Sequence, residues 1–145
     1  QRIAEPVGAY SGTVRRFGVP GRGQAAKLLT NLVTQGTTLL PADAFQSANA
    51  MDVAPHALCE VMRTGSARPG PLENAVRPAL AGDFDGADFT IAHAEKDLRY
   101  ARDLIARLDP ARATIASGLA DRLGALVAEG RGADFVSTQL DPSRA

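Results

Sequence analysis

Two lysines are the residues of this chain best suited to chemistry, because nearly every other cationic side chain is an arginine. Lys27 and Lys96 are the only lysines among 145 residues, against fourteen arginines. A guanidinium keeps its proton, whereas burial can tune an ammonium into a proton donor or acceptor. The skew therefore indicates two positions where an amine is required, or it reflects an arginine-rich composition without functional meaning.

Lys27 has a candidate partner in Asn31, four residues later on a predicted helix. Residues at this spacing share a helix face about one turn apart. A neighbouring amide can aim an ammonium at a substrate oxygen, and in a dry pocket the pKa of an ammonium falls toward neutrality, which suits general acid–base catalysis. The alternative is a solvated surface lysine, the common state of a lone lysine.

Lys96 is followed by Asp97 on a later predicted helix, and His93 precedes it by three residues. His93 and Lys96 can share one face of that helix. The alternative is a solvated charged face that also carries Glu95 and Arg99.

A glycine-rich segment opens the helix of Lys27. Residues 21–26 read GRGQAA and match G-x-G-x-x-A, one form of the dinucleotide-binding fingerprint. A true fingerprint follows a buried strand within a repeating strand–helix unit, and no such unit surrounds this segment, so the Rossmann interpretation is disfavoured. The glycines would still let another surface approach and would leave the first helical amides available to a polar or anionic ligand.

The elements that must position these residues are helices. Apolar residues at helical spacing predict an all-α chain of about five or six helices, with one or two long antiparallel pairs. The first helix spans about 23–51, and Pro41 predicts a kink or break because proline lacks the amide donor and clashes with the preceding turn. The other predicted helices are 55–63, 72–80, 89–108 with Asp88 as a candidate cap, and 110–130, followed by a short turn near 134–138.

The composition of the chain excludes several classes of function. Sixteen basic and sixteen acidic residues balance, so the chain has no electrostatic footprint for nucleic acid or anionic lipid. The single Cys59 excludes an intrachain disulfide framework and a cysteine metal cluster, and it is predicted to be a buried structural thiol. No metal site, membrane span or signal peptide is predicted, so we expect an intracellular, cytoplasmic location. The chain does not begin with Met, which suits a processed product or a piece of a longer protein.

Four motifs in order resemble the C-terminal helical domain of the β-hydroxyacid dehydrogenases, within the 6-phosphogluconate dehydrogenase-like superfamily. That family includes 3-hydroxyisobutyrate dehydrogenases and the tartronate semialdehyde and succinic semialdehyde (glyoxylate) reductases. The motifs are GRGQAAKLLTN (21–31), ADAF (42–45) with VAP (53–55), LAGDF (80–84) with Phe89 and KDL (96–98), and GRGAD (130–134). The ordered set covers nearly the whole chain and is much more specific than any one motif. It implies the all-α fold of the 6-phosphogluconate dehydrogenase C-terminal domain.

The resemblance implies roles on the substrate side. Lys27 matches the catalytic lysine, the general acid that protonates the carbonyl oxygen of a semialdehyde and the general base in the reverse direction. Asn31 matches the amide that orients substrate and lysine. Gly21 and Gly23 match the backbone that closes over the substrate, a small β-hydroxyacid or its semialdehyde.

The resemblance also implies a nicotinamide cofactor, NAD or NADP. Lys96 matches the lysine that reaches toward it, and Phe89 matches the aromatic side chain that lines its pocket. In the family an N-terminal Rossmann domain holds most of the cofactor. Residues 1–20 would then be the interdomain junction and 21–145 a helical domain for substrate binding and homodimerisation. We expect such a chain, alone, to bind NAD(P) weakly and to be inactive.

The chain departs from the family pattern at Thr30, where an asparagine is usual, at Asp52, where glycine is frequent, and at Pro41. Two alternatives to the dehydrogenase therefore stay open. An imine reductase-like enzyme of the same architecture is one, although such enzymes typically lack the lysine and Lys27 argues against it. The other is a non-catalytic helical dimerisation module.

Overall fold

The computed structural model describes residues 15–65, 76–84 and 89–141, and these residues form an all-α fold. The five α-helices are α1 (Arg22–Ala50), α2 (Pro55–Thr64), α3 (Arg77–Leu80), α4 (Ile91–Ala106) and α5 (Thr114–Ala128), and two 3₁₀ helices span Pro110–Ala113 and Val136–Leu140. Over the described residues, extended pairing is limited to one isolated bridge between Thr90 and Phe135. The predicted fold class is confirmed. Residues 1–14, 72–75 and Asp88, which carried parts of the sequence predictions, lie outside the described ranges.

The first helix runs through its proline without interruption. α1 is a single helix of 29 residues, and Pro41 is buried inside it. Of the kink or break that the sequence predicted at Pro41, the break does not occur. Ala42, Phe45 and Ala48, in the turns that follow, are buried against the core. Most helical stability in proteins comes from packing of an apolar face, and here that packing keeps the helix intact beyond the missing amide donor.

Two apolar clusters form the core of the described residues. The first joins the C-terminal half of α1 to α2 and α3, and the second joins the middle of α1 to α4 and α5. The buried members of the first are Ala42, Phe45, Cys59, Val76, Ala79 and Leu140. Those of the second are Leu39, Ile91, Ala94, Leu98, Ala120, Leu123 and Val136. Cys59 is thus a buried thiol, as predicted.

The tail after α5 secures the beginning of α4. The amides of Ile91 and Ala92 donate to the carbonyl oxygens of Asp134 and Gly132, at 2.8 and 3.0 Å. These amides lie in the first turn of the helix, which has no partners for them within the helix. The N-cap of α4 is Thr90, whose hydroxyl accepts from the amide of His93 at 3.4 Å, so Asp88 is not the cap that the sequence suggested. The tail therefore fixes where α4 starts, and with it the position of Lys96.

An ion pair ties α5 to the long helix. Arg122 of α5 pairs with Asp43 of α1, and partial burial lowers the pKa of the Arg122 guanidinium below its ordinary value. None of the described helices is long and apolar enough to cross a membrane. Nor do the described residues contain a group of three or more His, Cys, Asp and Glu side chains that could hold a metal ion.

Candidate functional site

Two of the residues predicted to carry chemistry meet at one carboxylate. Asn31, in the third turn of α1, donates from Nδ2 to Oδ2 of Asp97 at 2.6 Å. Lys96, on α4, places Nζ 3.5 Å from Oδ1 of the same Asp97. The contact between α1 and α4 therefore joins the predicted substrate-side amide to the predicted cofactor-side lysine through a residue that the sequence analysis gave no role.

Asp97 is buried, whereas Lys96 is half exposed. The side chain of Asp97 is 6% exposed and that of Lys96 44%. Burying a carboxylate is costly unless it is paired and hydrogen-bonded, and Asp97 has both kinds of partner. The exposed part of Lys96 leaves its ammonium accessible to a ligand.

Lys27 lies one helical turn before Asn31, and its side chain is exposed. No hydrogen bond or ion pair connects it to another residue within 15–65, 76–84 or 89–141. The water-poor cleft predicted around its amine is not formed by those residues. A second domain would have to cover Lys27 to create one.

Thr30, which departs from the family pattern next to Asn31, forms a hydrogen bond within its own helix. Its hydroxyl donates to the carbonyl oxygen of Ala26 at 2.9 Å, and the residue is exposed. It takes no part in the contact between Asn31 and Asp97. The substitution at position 30 thus leaves that contact intact.

The two glycines before Lys27 differ in whether the fold requires a glycine at that position. Gly21 is the N-cap of α1 with φ 90°, a left-handed conformation that favours glycine. Gly23 lies inside the first turn, and a Cβ built there meets nothing within 4 Å among the described atoms. The fold of the described residues therefore accounts for glycine at position 21 but not at position 23.

Phe89 lies immediately before α4. It packs against the second core cluster, and its ring centroid is 6.4 Å from that of His93. The Phe89 carbonyl oxygen accepts from the amide of Val136 at 3.0 Å, so the tail holds this segment in place. His93 is exposed, and its Nδ1 lies 3.0 Å from the Thr90 hydroxyl. It therefore belongs to the helix start rather than to the Lys96–Asp97 pair.

Comparisons with known proteins agree with the fold. A sequence profile of the family described as the NAD-binding domain of NADP-dependent 3-hydroxyisobutyrate dehydrogenase matches residues 21–138. The chain therefore belongs to this family, among the β-hydroxyacid dehydrogenases, and the prediction of a family that uses NAD(P) is confirmed. No curated protein matches the chain.

A solved structure is also similar to the chain. It is the 3-hydroxyisobutyrate dehydrogenase of Mycobacterium tuberculosis with L-serine, at 27% identity and a TM-score of 0.74. The match covers 99% of this chain and 51% of that one, so the chain spans about half the length of this relative.

Two of the described residues were predicted to contact a nicotinamide cofactor. Lys96 has a side chain that is 44% exposed, and Phe89 lies seven residues earlier, just before the same helix. Sequence reasoning paired Asp97 with Lys96 as a candidate within the KDL motif, but it gave Asp97 no contact with Asn31. The available signal was its position next to a rare lysine, but no one-dimensional pattern reveals which helix it faces.

Proposed function

We propose that this chain is the helical half of an NAD(P)-dependent 3-hydroxyacid dehydrogenase, or semialdehyde reductase, and that residues 21–145 act with a Rossmann-fold domain preceding them. The observation that carries the proposal is the carboxylate of Asp97, which holds Asn31 at 2.6 Å and Lys96 at 3.5 Å within the segment that matches the family. In this proposal Asn31 is the amide beside the catalytic Lys27, and Lys96 is the lysine that faces the cofactor. The reaction needs both from the helical domain in addition to Lys27.

Lys27 is the general acid of this proposal. When a semialdehyde is reduced, its ammonium protonates the carbonyl oxygen as that oxygen gains negative charge; in the reverse direction the amine removes the hydroxyl proton. Asn31, one turn away, orients the lysine and the substrate. Coverage by a second domain would exclude water and strengthen these interactions.

The cofactor supplies the redox step, since NAD(P) donates or accepts the hydride. Lys96 and Phe89 would contribute the helical domain's part of its binding. Gly23 supports the placement of substrate near the start of α1, because an uncrowded glycine in a helix, without a reason in the fold, suits a close approach by a ligand or by another domain.

Two substitutions of Lys27 test the proposal in the protein that carries this chain after a Rossmann-fold domain. Lys27→Ala removes the amine, and Lys27→Arg keeps the positive charge on a group that does not release its proton. We expect both to lower kcat with small semialdehydes by about 10²–10⁴-fold, with little change in the KM for NAD(P)H. Lys96→Ala, the counterpart, should mainly raise the KM for NAD(P)H.

The measurement is the loss of NAD(P)H absorbance with a panel of semialdehydes. If Lys27→Arg retained most of the wild-type turnover, Lys27 would act through its charge and not through its proton. If the wild-type protein oxidised neither NADH nor NADPH with any member of the panel, the proposed reaction itself would be wrong.

The proposal includes two further expectations about the assembled protein. It forms a homodimer through its helical domain, and it acts in the cytoplasm. The first is supported by an exposed apolar groove between α1 and α5.

A further inference from the structure

We propose that Asp97 is a positioning residue, which fixes the direction of the Asn31 amide on one side and the Lys96 ammonium on the other. This inference rests on the proposed function and adds to it a residue that acts through both predicted partners. We assign it no direct contact with substrate. It is buried in the contact between α1 and α4, and its two oxygens serve different partners: Oδ2 accepts from Asn31 and Oδ1 faces Lys96.

The carboxylate dictates which end of the Asn31 side chain faces the site. An ionised carboxylate has acceptors only, so the amide nitrogen of Asn31 must point at Asp97 and the carbonyl Oδ1 must point away from it. The opposite orientation would set two oxygen acceptors against each other. Asn31 therefore offers an acceptor to the face that it shares with Lys27, which suits an ammonium or a substrate hydroxyl as the donor.

The second carboxylate oxygen of Asp97, Oδ1, acts on Lys96, the lysine proposed to bind the cofactor. Lys96 carries a flexible stem, and its side chain is 44% exposed. A buried carboxylate 3.5 Å away restrains that ammonium near the α1–α4 contact. Because Oδ1 and Oδ2 belong to one rigid group, the position of the amide and that of the ammonium are set relative to each other. Loss of Asp97 should therefore damage turnover through Asn31 and cofactor binding through Lys96.

A double-mutant cycle distinguishes an effect of Asp97 on turnover through Asn31 from a merely structural role of Asp97. In the complete protein, Asp97→Ala should lower kcat roughly 10- to 100-fold, the range expected for a hydrogen bond to a charged group. The double variant Asn31→Ala with Asp97→Ala should turn over within about threefold of Asn31→Ala alone, because Asp97 acts on kcat only through Asn31. If the two effects multiplied, or if Asp97→Ala stayed within about twofold of wild type, the inference would be overturned.

The conservative variant Asp97→Asn separates the effect through Asn31 on turnover from the effect through Lys96 on cofactor binding. Asp97→Asn keeps an oxygen that can accept from Asn31 but removes the charge that restrains Lys96. We expect its kcat within about threefold of wild type, and its KM for NAD(P)H raised by about as much as in Lys96→Ala. The reverse pattern, a low kcat with an unchanged KM, would contradict the proposal. If Asp97→Ala fails to fold, the kinetics of Asp97→Asn still test the inference.

A readout without substrate or cofactor distinguishes failure of this inference from failure of the proposed function. The side-chain amide of Asn31 should give a proton NMR signal protected from solvent exchange in the wild type, and Asp97→Ala should lose that protection. A protein that shows this change but reduces no semialdehyde would keep the positioning contact and lose the proposed reaction. A protein that reduces semialdehydes in a Lys27-dependent way, with no difference in Asn31 exchange, would refute the positioning role alone.

Discussion

At the residue scale, the candidate site joins side chains that the sequence singled out through a contact that only the fold identifies. Lys27, Asn31 and Lys96 were singled out by residue type, spacing and resemblance, and Asp97 was noted beside Lys96. The importance of Asp97 lies in facing Asn31, a residue 66 positions earlier in the chain, and those arguments do not reveal that contact. Which buried face of α4 meets which turn of α1 depends on packing, and a single sequence carries no direct signal of it.

Gly21 and Gly23 give a matched pair of substitutions at this scale. Gly21→Ala forces a side chain into a backbone with φ 90°, and we expect it to lower the free energy of unfolding by about 1–3 kcal/mol. Gly23→Ala places a methyl group in open space within a helix, so the free energy of unfolding should rise by about 0.5–1 kcal/mol. Urea denaturation measures both.

Enzyme kinetics complete the comparison. Gly23→Ala should raise the KM for the semialdehyde although it does not harm folding, because the added methyl group occupies space proposed for substrate or for the facing domain. Equal destabilisation by the two alanines would contradict the structural distinction between these glycines. An unchanged KM in Gly23→Ala would argue against a ligand at this backbone.

At the scale of elements, the sequence predicted the helices well and their ends less well. The first helix was expected over 23–51 and spans Arg22–Ala50, because its apolar spacing is long and regular. The helix is not broken at Pro41 because the residues that follow it are buried, and local rules omit that burial. The start of α4 was misplaced because its first amides bond to the tail around Gly132, which lies some 40 residues later in the sequence.

The C-terminus of α1 gives a prediction about an element's end. Asp52 has φ 59°, in the left-handed region, and the amide of Val53 donates to the carbonyl oxygen of Ala48 at 2.8 Å, as in a Schellman motif. Glycine adopts this conformation without a steric penalty, whereas alanine does not. Asp52→Gly should therefore raise the free energy of unfolding by about 0.5–1 kcal/mol, and Asp52→Ala should lower it by about 1 kcal/mol.

Thermal unfolding of the three proteins under identical conditions provides the measurement. The expected order of Tm is glycine, then aspartate, then alanine. A Tm for Asp52→Ala above that of the wild type would show that the left-handed backbone does not limit stability at this helix end.

At the scale of the whole molecule, one surface is too apolar to be explained by the fold of the described residues. A groove of about 340 Å³ runs between α1 and the segment that begins at Pro110. Its lining residues are Leu32, Val33, Gly36, Thr37, Leu40, Arg112, Ile115, Ala116 and Leu119. Three of them are strongly exposed: Val33 at 64%, Leu40 at 66% and Ile115 at 75%. A contiguous exposed apolar surface of this kind is typical of an interaction site.

The proposed homodimer accounts for this groove, since a twofold dimer sets the same surface of both subunits together. Leu40→Glu would place a charge within the groove, where burial in a dimer contact without a partner is costly. We expect the dimer dissociation constant to rise by about 100-fold, equivalent to about 2.7 kcal/mol, while the far-UV circular dichroism stays unchanged because Leu40 is exposed in the single chain.

Val61→Glu is the matched control, because Val61 is 68% exposed on α2 and does not line the groove. Size-exclusion chromatography with light scattering, over a dilution series, should show the Leu40 variant as a single chain at concentrations where the wild type and the Val61 variant are dimeric. A wild type that is monomeric throughout the series would refute the homodimer. A Leu40 variant that dimerises as tightly as the wild type would place the interface elsewhere, because a carboxylate buried without a partner in the groove would weaken a contact made there.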